Sequence, residues 1–263
     1  MAYETLELTV DENQVATLTL MRPEIHNAMN PLLILEMRQA MDELRNQFRP
    51  RALVLTGSGK SFCAGADLNW MKEMTGQEES ERKKDAKELA SMLGDLNDLG
   101  CLVIGRINGA AYGGGIGLVS CCDIAIGAES SRFSLSEVTL GVIPATISPF
   151  VIQRIGSSNS RRVMLNGHRF GAQEAVRLGL LHRSVPDSEL DEAVNEEIKA
   201  VLRCAPEAVR AAKDLIGAVR GREPESVKEE TAERLAQTWK TESCREGIAA
   251  FLEKRKAAWH PES

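Results

Sequence analysis

The segment Asn108-Gly-Ala-Ala-Tyr-Gly-Gly-Gly-Ile-Gly117 is the most informative part of this sequence about the fold. It follows a short run, Leu102 to Ile107, which is apolar apart from Arg106 and predicts a strand buried on both faces. Glycines at this point allow a ligand to approach the backbone amides at a helix start, where free donors and the helix dipole favour negative charge. A tight strand-to-helix turn that serves packing alone is the alternative. Glycine content by itself leaves both interpretations open.

The chain before this turn shows strands and helices in alternation. Residues 6–10 and 16–20 alternate apolar with polar side chains, which predicts a hairpin with one buried face. Between Pro31 and Pro50 the apolar residues recur at helical spacing, and Ala52 to Leu55 predicts a second buried strand. A polar helical stretch then leads to the strand before the glycine turn. This order indicates an α/β fold.

Beyond Pro186 the strand signals fade and the pattern becomes helical. Amphipathic helices are predicted at Leu190 to Leu202, Pro206 to Val219, Val227 to Trp239 and Cys244 to Ala258. We therefore predict a core of residues 1–200 followed by a helical C-terminal region of residues 201–263.

Composition excludes several classes of protein. The chain has 263 residues, of which 43% are hydrophobic and 27% charged, and this balance is typical of globular proteins. No apolar run approaches the roughly 20 residues that cross a bilayer, and the N-terminus lacks a secretory pattern, so a cytoplasmic protein is expected. The six cysteines include no CxxC pair and the four histidines are far apart, so no metal site is predicted. A net charge of -6 disfavours nucleic acid and anionic membranes as partners.

Two nucleotide-binding motifs are excluded by spacing. The segment Gly57-Ser-Gly-Lys-Ser61 ends like a P-loop, but Val54 stands where that motif requires its first glycine. The dinucleotide fingerprint fails in the same way, because Leu118 follows Gly113 and Gly115 at the third glycine position. No nicotinamide cofactor is expected.

Two further segments give the glycine turn a context. Ser61-Phe-Cys-Ala-Gly-Ala-Asp-Leu68 precedes a predicted helix, and Phe133-Ser-Leu-Ser-Glu-Val-Thr-Leu-Gly-Val-Ile-Pro144 carries one carboxylate in a largely uncharged stretch. In order, spacing and several identities the three segments resemble the enoyl-CoA hydratase and isomerase family, also called the crotonase family. The resemblance extends from Arg22-Pro23 to Phe251-Leu-Glu-Lys-Arg-Lys256 and so covers nearly the whole chain.

The resemblance implies a fold and a way of activating the substrate. The expected fold is a crotonase-like spiral of ββα turns with a C-terminal helical region used for trimerisation, giving a homotrimer or a dimer of trimers. The backbone amides of Ala66 and Gly114 match the two oxyanion-hole donors of the family, which polarise a thioester carbonyl and stabilise its enolate. No cofactor is implied apart from coenzyme A as part of the acyl-CoA substrate.

The chain departs from the best-known hydratases of the family at one catalytic position. Those enzymes use two glutamates, and Glu137 matches the second of them, while Gly117 stands where the first would be. The resemblance therefore implies that Glu137 alone acts as acid and base. A purely structural role for this glutamate is the alternative.

Three functions follow from this pattern. The first is an enoyl-CoA hydratase or dehydratase for branched, carboxylated substrates, because Leu118 to Ala128 and Leu135 to Phe150 resemble bacterial methylglutaconyl-CoA and isohexenylglutaconyl-CoA hydratases, which serve leucine and acyclic terpene breakdown. That group also tends to have glycine at position 117. The second is an enoyl-CoA isomerase, which needs only one carboxylate. The third is a non-catalytic acyl-CoA-binding or RNA-associated member of the family.

The resemblance also implies where coenzyme A binds. Adenine is expected beside the loop that holds Ala64, Asp67 and Leu68, with Phe251 and Lys254 reaching in from a neighbouring subunit. Further candidates come from the residues themselves. The candidates for binding a substrate carboxylate are Asn69, Thr146 and Ser148. The spacing of Trp70, Met71 and Met74 fits either an acyl pocket or core packing. We interpret His26, His168 and Cys63 as structural.

Overall fold

The structure is a computed structural model that describes residues 3–261 of the chain. Its strands are β1 Leu6–Val10, β2 Val15–Leu20, β3 Ala52–Gly57, β4 Ser61–Cys63, β5 Leu102–Ile107, β6 Ala110–Tyr112, β7 Ile124–Ala128, β8 Arg132–Ser134, β9 Phe170–Gly171 and β10 Arg183–Val185. Its helices are α1 Pro31–Glu43, α2 Leu68–Gly76, α3 Glu79–Asn97, α4 Gly114–Cys121, α5 Ser148–Met164, α6 Ala172–Leu178, α7 Leu190–Val201, α8 Pro206–Val219, α9 Pro224–Thr238 and α10 Glu242–Leu252.

The strands form two sheets. The larger has the order β1-β2-β3-β5-β7-β10 and is parallel except for the predicted hairpin, in which β1 and β2 pair antiparallel. The smaller has the order β4-β6-β8-β9, and only β8 and β9 pair antiparallel. The α/β prediction is confirmed, with the short strands of the smaller sheet as an addition that periodicity did not reveal.

The chain winds as a spiral in which each turn contributes one strand to each sheet. The pairs are β3 with β4, β5 with β6, and β7 with β8, and each pair is followed by a helix or a helical turn. Because β4, β6 and β8 are parallel neighbours, their carboxyl ends lie at one edge of the smaller sheet. In parallel sheets this edge is where ligands bind. The topology thus brings together the three segments that follow these strands.

Apolar side chains fill the space between the sheets and helices. Strand β3 is buried along its whole length, as its continuous apolar run predicts. The main core includes Leu18, Leu55, Met37 and Phe133, all fully buried. A second cluster lies between the larger sheet and α7. Burial of this extent is the dominant force that holds the spiral together.

The C-terminal region is helical, as predicted, but its last helix is shorter. The prediction that this helix continues to Ala258 is wrong, because the helix ends at Leu252 and Lys254 adopts a left-handed φ of 56°. The region is joined to the core by Arg51, whose guanidinium donates hydrogen bonds to the carbonyls of Leu202, Cys204 and Trp259. Among residues 3–261, no helix is both long and apolar enough to cross a membrane.

Candidate active site

The loops after β4, β6 and β8 meet in van der Waals contact. A Cβ built on Gly65 would lie 3.6 Å from the amide nitrogen of Gly114. A Cβ built on Gly113 would lie 3.1 Å from Oε1 of Glu137 and 4.0 Å from Cα of Gly65. The segments that carry Ala66, Gly114 and Glu137 are therefore assembled into one site.

The backbone N–H of Ala66 has no hydrogen-bond acceptor, because of the way in which Met29 pairs with this residue. Met29 pairs with Ala66 in an isolated parallel bridge: Met29 N–H donates to the carbonyl of Gly65 at 2.7 Å, and Asp67 N–H donates to the carbonyl of Met29 at 2.8 Å. In such a bridge the opposing residue directs its own N–H away from the partner. Within residues 3–261 the Ala66 N–H has no acceptor, and Ala66 is exposed. This amide is available to a ligand.

The amide of Gly114 is free because it begins a helix. The first N–H groups of a helix have no partner inside it, and they carry the positive end of its dipole. Gly113 has φ 48° and ψ -117°, a conformation that favours glycine, and its own N–H donates to the carbonyl of Ser134 at 3.0 Å. The Gly114 N–H has no acceptor within the described residues. Two unpaired amides thus face one site, as an oxyanion hole requires.

Glu137 is the first residue of a short 3₁₀ turn, Glu137–Leu140, directly after β8. Its Oε2 is buried and accepts no hydrogen bond from residues 3–261. Burial raises the pKa of the carboxyl above its ordinary value, and its own backbone amide offsets only part of this effect. A carboxyl group in this state holds a proton at higher pH than an exposed one, which suits an acid and base beside an enolate.

The position of the missing glutamate is filled by apolar side chains. Gly117 lies in the first turns of α4 and is buried. A Cβ on this residue would lie 2.6 Å from Cγ2 of Ile147 and 3.5 Å from Cδ2 of Leu93. Ile147 precedes α5 and is 2% exposed. The structure thus leaves no room for a side chain at residue 117.

Asp67 stabilises the loop after β4 through contacts of both carboxylate oxygens. Its Oδ2 forms an ion pair with Nη2 of Arg22 at 3.0 Å, and its Oδ1 caps α2 by accepting from the amide of Asn69 at 2.8 Å. Arg22 also donates to the carbonyl of Ala28. Arg22-Pro23 marks the start of the family resemblance, but the sequence does not predict the ion pair between Arg22 and Asp67. The predicted role of Asp67 in substrate binding remains a prediction.

The predicted substrate-binding residues differ in exposure. Leu68 and Asn69 lie exposed on the first turn of α2, Leu68 at 80%, and Ala64 is half-buried beside them. Trp70 is 6% exposed and belongs to the main core, which favours core packing for this side chain. Phe251 is 82% exposed, and the exposed Lys254 follows in the turn after α10. Neither hydrogen-bonds to the Ala64 loop within the single chain.

The residues interpreted as structural lie in structural surroundings. Cys63 is fully buried at the end of β4, and this burial raises the pKa of its thiol to about 12. Such a thiol is protonated at neutral pH and is a poor nucleophile. Nδ1 of His26 lies 3.0 Å from Oγ of Ser61, so this ring joins the segment between β2 and α1 to β4.

Comparison with known proteins agrees with this geometry. Residues 11–262 match the family described as enoyl-CoA hydratase/isomerase. A short-chain-enoyl-CoA hydratase of Clostridium acetobutylicum is 32% identical over 93% of this chain and 94% of its own length. An enoyl-CoA hydratase structure from Shewanella pealeana superposes with a TM-score of 0.93 at 37% identity, covering 97% of this chain and 96% of that one. AtuE of Pseudomonas aeruginosa superposes with a TM-score of 0.94 at 35% identity, covering 98% and 100%.

The chain belongs to the enoyl-CoA hydratase/isomerase family. The predicted crotonase-like α/β fold with C-terminal helices is confirmed.

Proposed function

We propose that this enoyl-CoA hydratase acts on branched enoyl-CoA esters that carry a second carboxylate, of the methylglutaconyl-CoA type. The single observation that carries the enoyl-thioester chemistry of this proposal is the combination of two free amides with one buried carboxyl oxygen. The resemblance of Leu118 to Ala128 and of Leu135 to Phe150 to bacterial methylglutaconyl-CoA and isohexenylglutaconyl-CoA hydratases supports the carboxylated substrate class.

The geometry supports the following course of reaction. The thioester oxygen accepts hydrogen bonds from the amides of Ala66 and Gly114. Water adds to the β carbon, the electron pair of the double bond moves toward the thioester, and the negative charge collects on the oxygen between the two amides. Glu137 in its protonated form then delivers a proton to the α carbon, and the proton that the added water loses restores the protonated Glu137 through solvent. Its raised pKa keeps that proton available, and dehydration reverses the same steps.

The candidate donors for the second substrate carboxylate differ in what they already bind. The hydroxyl of Ser148 donates to the carbonyl of Ala145 at 2.8 Å, so it is engaged. The side chains of Asn69 and Thr146 make no hydrogen bond within residues 3–261, and they remain the better candidates.

Isomerisation is the second candidate function, and the single carboxylate favours it. Glu137 would remove a proton from one carbon and return it to another across a shifting double bond. A panel of enoyl-CoA esters incubated in deuterated water and analysed by mass separates the two functions. We expect gain of water and one deuterium at the α carbon, fastest with methylglutaconyl-CoA. Double-bond migration without gain of water would exclude hydration, and a clear preference for crotonyl-CoA would exclude the carboxylated substrate class.

Coenzyme A is proposed to bind across two subunits of a trimer. Exposed large apolar side chains in the C-terminal region support an assembly, since Leu235, Trp239 and Phe251 are 62%, 61% and 82% exposed. Lys254 would meet a phosphate of the ligand. Light scattering tests the trimer. In a trimer, Lys254→Ala is expected to raise KM with little change in kcat, and Lys256→Ala provides a comparison at a neighbouring position.

The division into a catalytic core of residues 1–200 and a helical region of residues 201–263 also stands as a proposal. The hydrogen bonds of Arg51 to both ends of the C-terminal region indicate that the two parts fold together. A single unfolding transition in calorimetry is therefore expected.

A further inference from the structure

The wall beside the oxyanion hole is apolar at the point where a second carboxylate would act. The side chain of residue 117 would project from α4 directly onto Cγ2 of Ile147, at 2.6 Å, and onto Cδ2 of Leu93, at 3.5 Å. Both of these side chains are buried. Neither carries a hydrogen-bonding group, so this wall can neither hold nor activate a water molecule.

No other carboxylate of the site segments is free to replace the missing one. Glu137 lies on the opposite loop, where Oε1 approaches Gly113. Asp67 is bound to Arg22 and to the amide of Asn69, and it is buried. If Glu137 delivers the proton to the α carbon, the attacking water is oriented by the second oxygen of the same carboxyl, by backbone groups or by a group that the substrate brings.

We infer that Ile147 closes the second-carboxylate position, and that the substrate's own carboxylate holds the attacking water in its place. This inference rests on the proposed function. In a methylglutaconyl-type ester the free carboxylate is joined to the β carbon through one methylene group. A water molecule hydrogen-bonded to that carboxylate therefore lies within reach of the β carbon, and the required group arrives with the substrate.

The step balances in atoms and electrons. The water oxygen forms a bond to the β carbon, and one water proton passes to the substrate carboxylate. The electron pair of the double bond moves onto the thioester oxygen, where the amides of Ala66 and Gly114 bind it. Glu137 then transfers its proton to the α carbon. The proton on the substrate carboxylate restores Glu137 through solvent, and one molecule of water has been added.

Ile147 thereby becomes a specificity-determining residue. An ester without a second carboxylate, such as 3-methylcrotonyl-CoA, can bind its thioester in the oxyanion hole but lacks the group that orients water. The loss is expected in kcat. A carboxylate that served only for binding would instead change KM.

The closure by Ile147 is tested first by thermal unfolding, which does not depend on activity. The variants are Gly117→Glu, Ile147→Gly and the double variant, and Val151→Gly replaces Ile147→Gly in a control cycle, because Val151 is equally buried one turn further along α5. Gly117→Glu alone is expected to lower Tm strongly. Adding Ile147→Gly to this variant is expected to recover part of the lost Tm, whereas adding Val151→Gly is expected to recover none of it. Additive Tm losses in both cycles would refute the closure.

The role of the substrate carboxylate is tested by comparing methylglutaconyl-CoA with 3-methylcrotonyl-CoA. The wild-type chain is expected to favour the first by at least about a hundredfold in kcat, the contribution of a positioned acid or base. In the double variant of Gly117→Glu with Ile147→Gly, the introduced carboxylate is expected to accelerate the hydration of 3-methylcrotonyl-CoA. The ratio of the two kcat values should therefore fall at least about tenfold. Equal kcat values in the wild type would overturn the inference and leave hydration intact, whereas hydration of neither ester would overturn the proposed function itself.

Discussion

Replacing Glu137 by glutamine separates catalysis from folding at this site. Glutamine keeps the shape of the side chain but has no proton to exchange at the α carbon. A positioned acid or base contributes about 10² to 10⁴ in rate, which corresponds to about 2.7 to 5.4 kcal/mol of transition-state stabilisation. We expect kcat to fall within that range while KM stays within about threefold, because in the proposed mechanism the amides of Ala66 and Gly114 would still bind the thioester oxygen. The assay is the loss of ultraviolet absorbance of the conjugated enoyl thioester.

The same substitution is expected to raise stability at neutral pH. Burial raises the pKa of Glu137 in the folded chain, so between the unfolded and folded pKa values the folded state binds more protons. The free energy of unfolding therefore falls as pH rises through this window, and the charged, buried carboxylate destabilises the fold above it. Glutamine has no such charge. We expect the variant to have the higher Tm at pH 8, and the difference to shrink as pH falls below the ordinary carboxyl pKa.

The matched control is Glu129→Gln, the same change at an exposed position on the loop after β7. It should leave both rate and stability unchanged. Turnover by Glu137→Gln within threefold of the wild type would show that another group carries the proton. A lower Tm than the wild type at pH 8 would refute the account of an unpaired, buried carboxyl. The wild-type kcat itself should fall on the alkaline side through a single pKa, because one protonated carboxyl is needed.

Three further predictions concern the oxyanion hole, the thiols and the joint between the two regions. Gly114→Pro removes one hydrogen-bond donor at a helix position that tolerates proline, and it should lower kcat about 10² to 10³-fold. The control is Gly114→Ala, whose Cβ crowds the methyl of Met29 equally while the N–H is kept. This variant should lose far less activity. Iodoacetamide at pH 8 should label exposed Cys204 and leave Cys63 unmodified by mass spectrometry, because burial raises the pKa of the Cys63 thiol to about 12, and activity should survive. Arg51→Met should lower the free energy of unfolding by about 2 kcal/mol or more in denaturant titrations, since three carbonyls lose a charged donor. A change below about 0.5 kcal/mol would contradict the role of Arg51 in connecting the core to the C-terminal region.

Several elements could be predicted because their signals are local. The hairpin of β1 and β2 follows from period-two alternation. The buried strand β3 and the mostly buried strand β5 follow from runs of apolar residues, although Arg106 interrupts the second run. The three-residue strands β4, β6 and β8 were missed as strands, since so short a segment shows no period. The sequence predicts too long a last helix, because helical spacing continues past Leu252. The left-handed turn at Lys254, where the helix has already ended, has no sequence signal of its own.

From the sequence, the resemblance to the enoyl-CoA hydratase/isomerase family predicted which three segments form the site, and it predicted that the first glutamate of the family is replaced by Gly117. Glycine content and the lone carboxylate did not by themselves distinguish a ligand site from a packing turn. The spatial relation of the three segments depends on the tertiary structure. Parallel pairing of β4, β6 and β8 brings their ends to one edge, and the bridge to Met29 leaves the Ala66 amide unpaired. The packing of Ile147 against Gly117 depends on a contact between residues thirty positions apart, which no local pattern encodes.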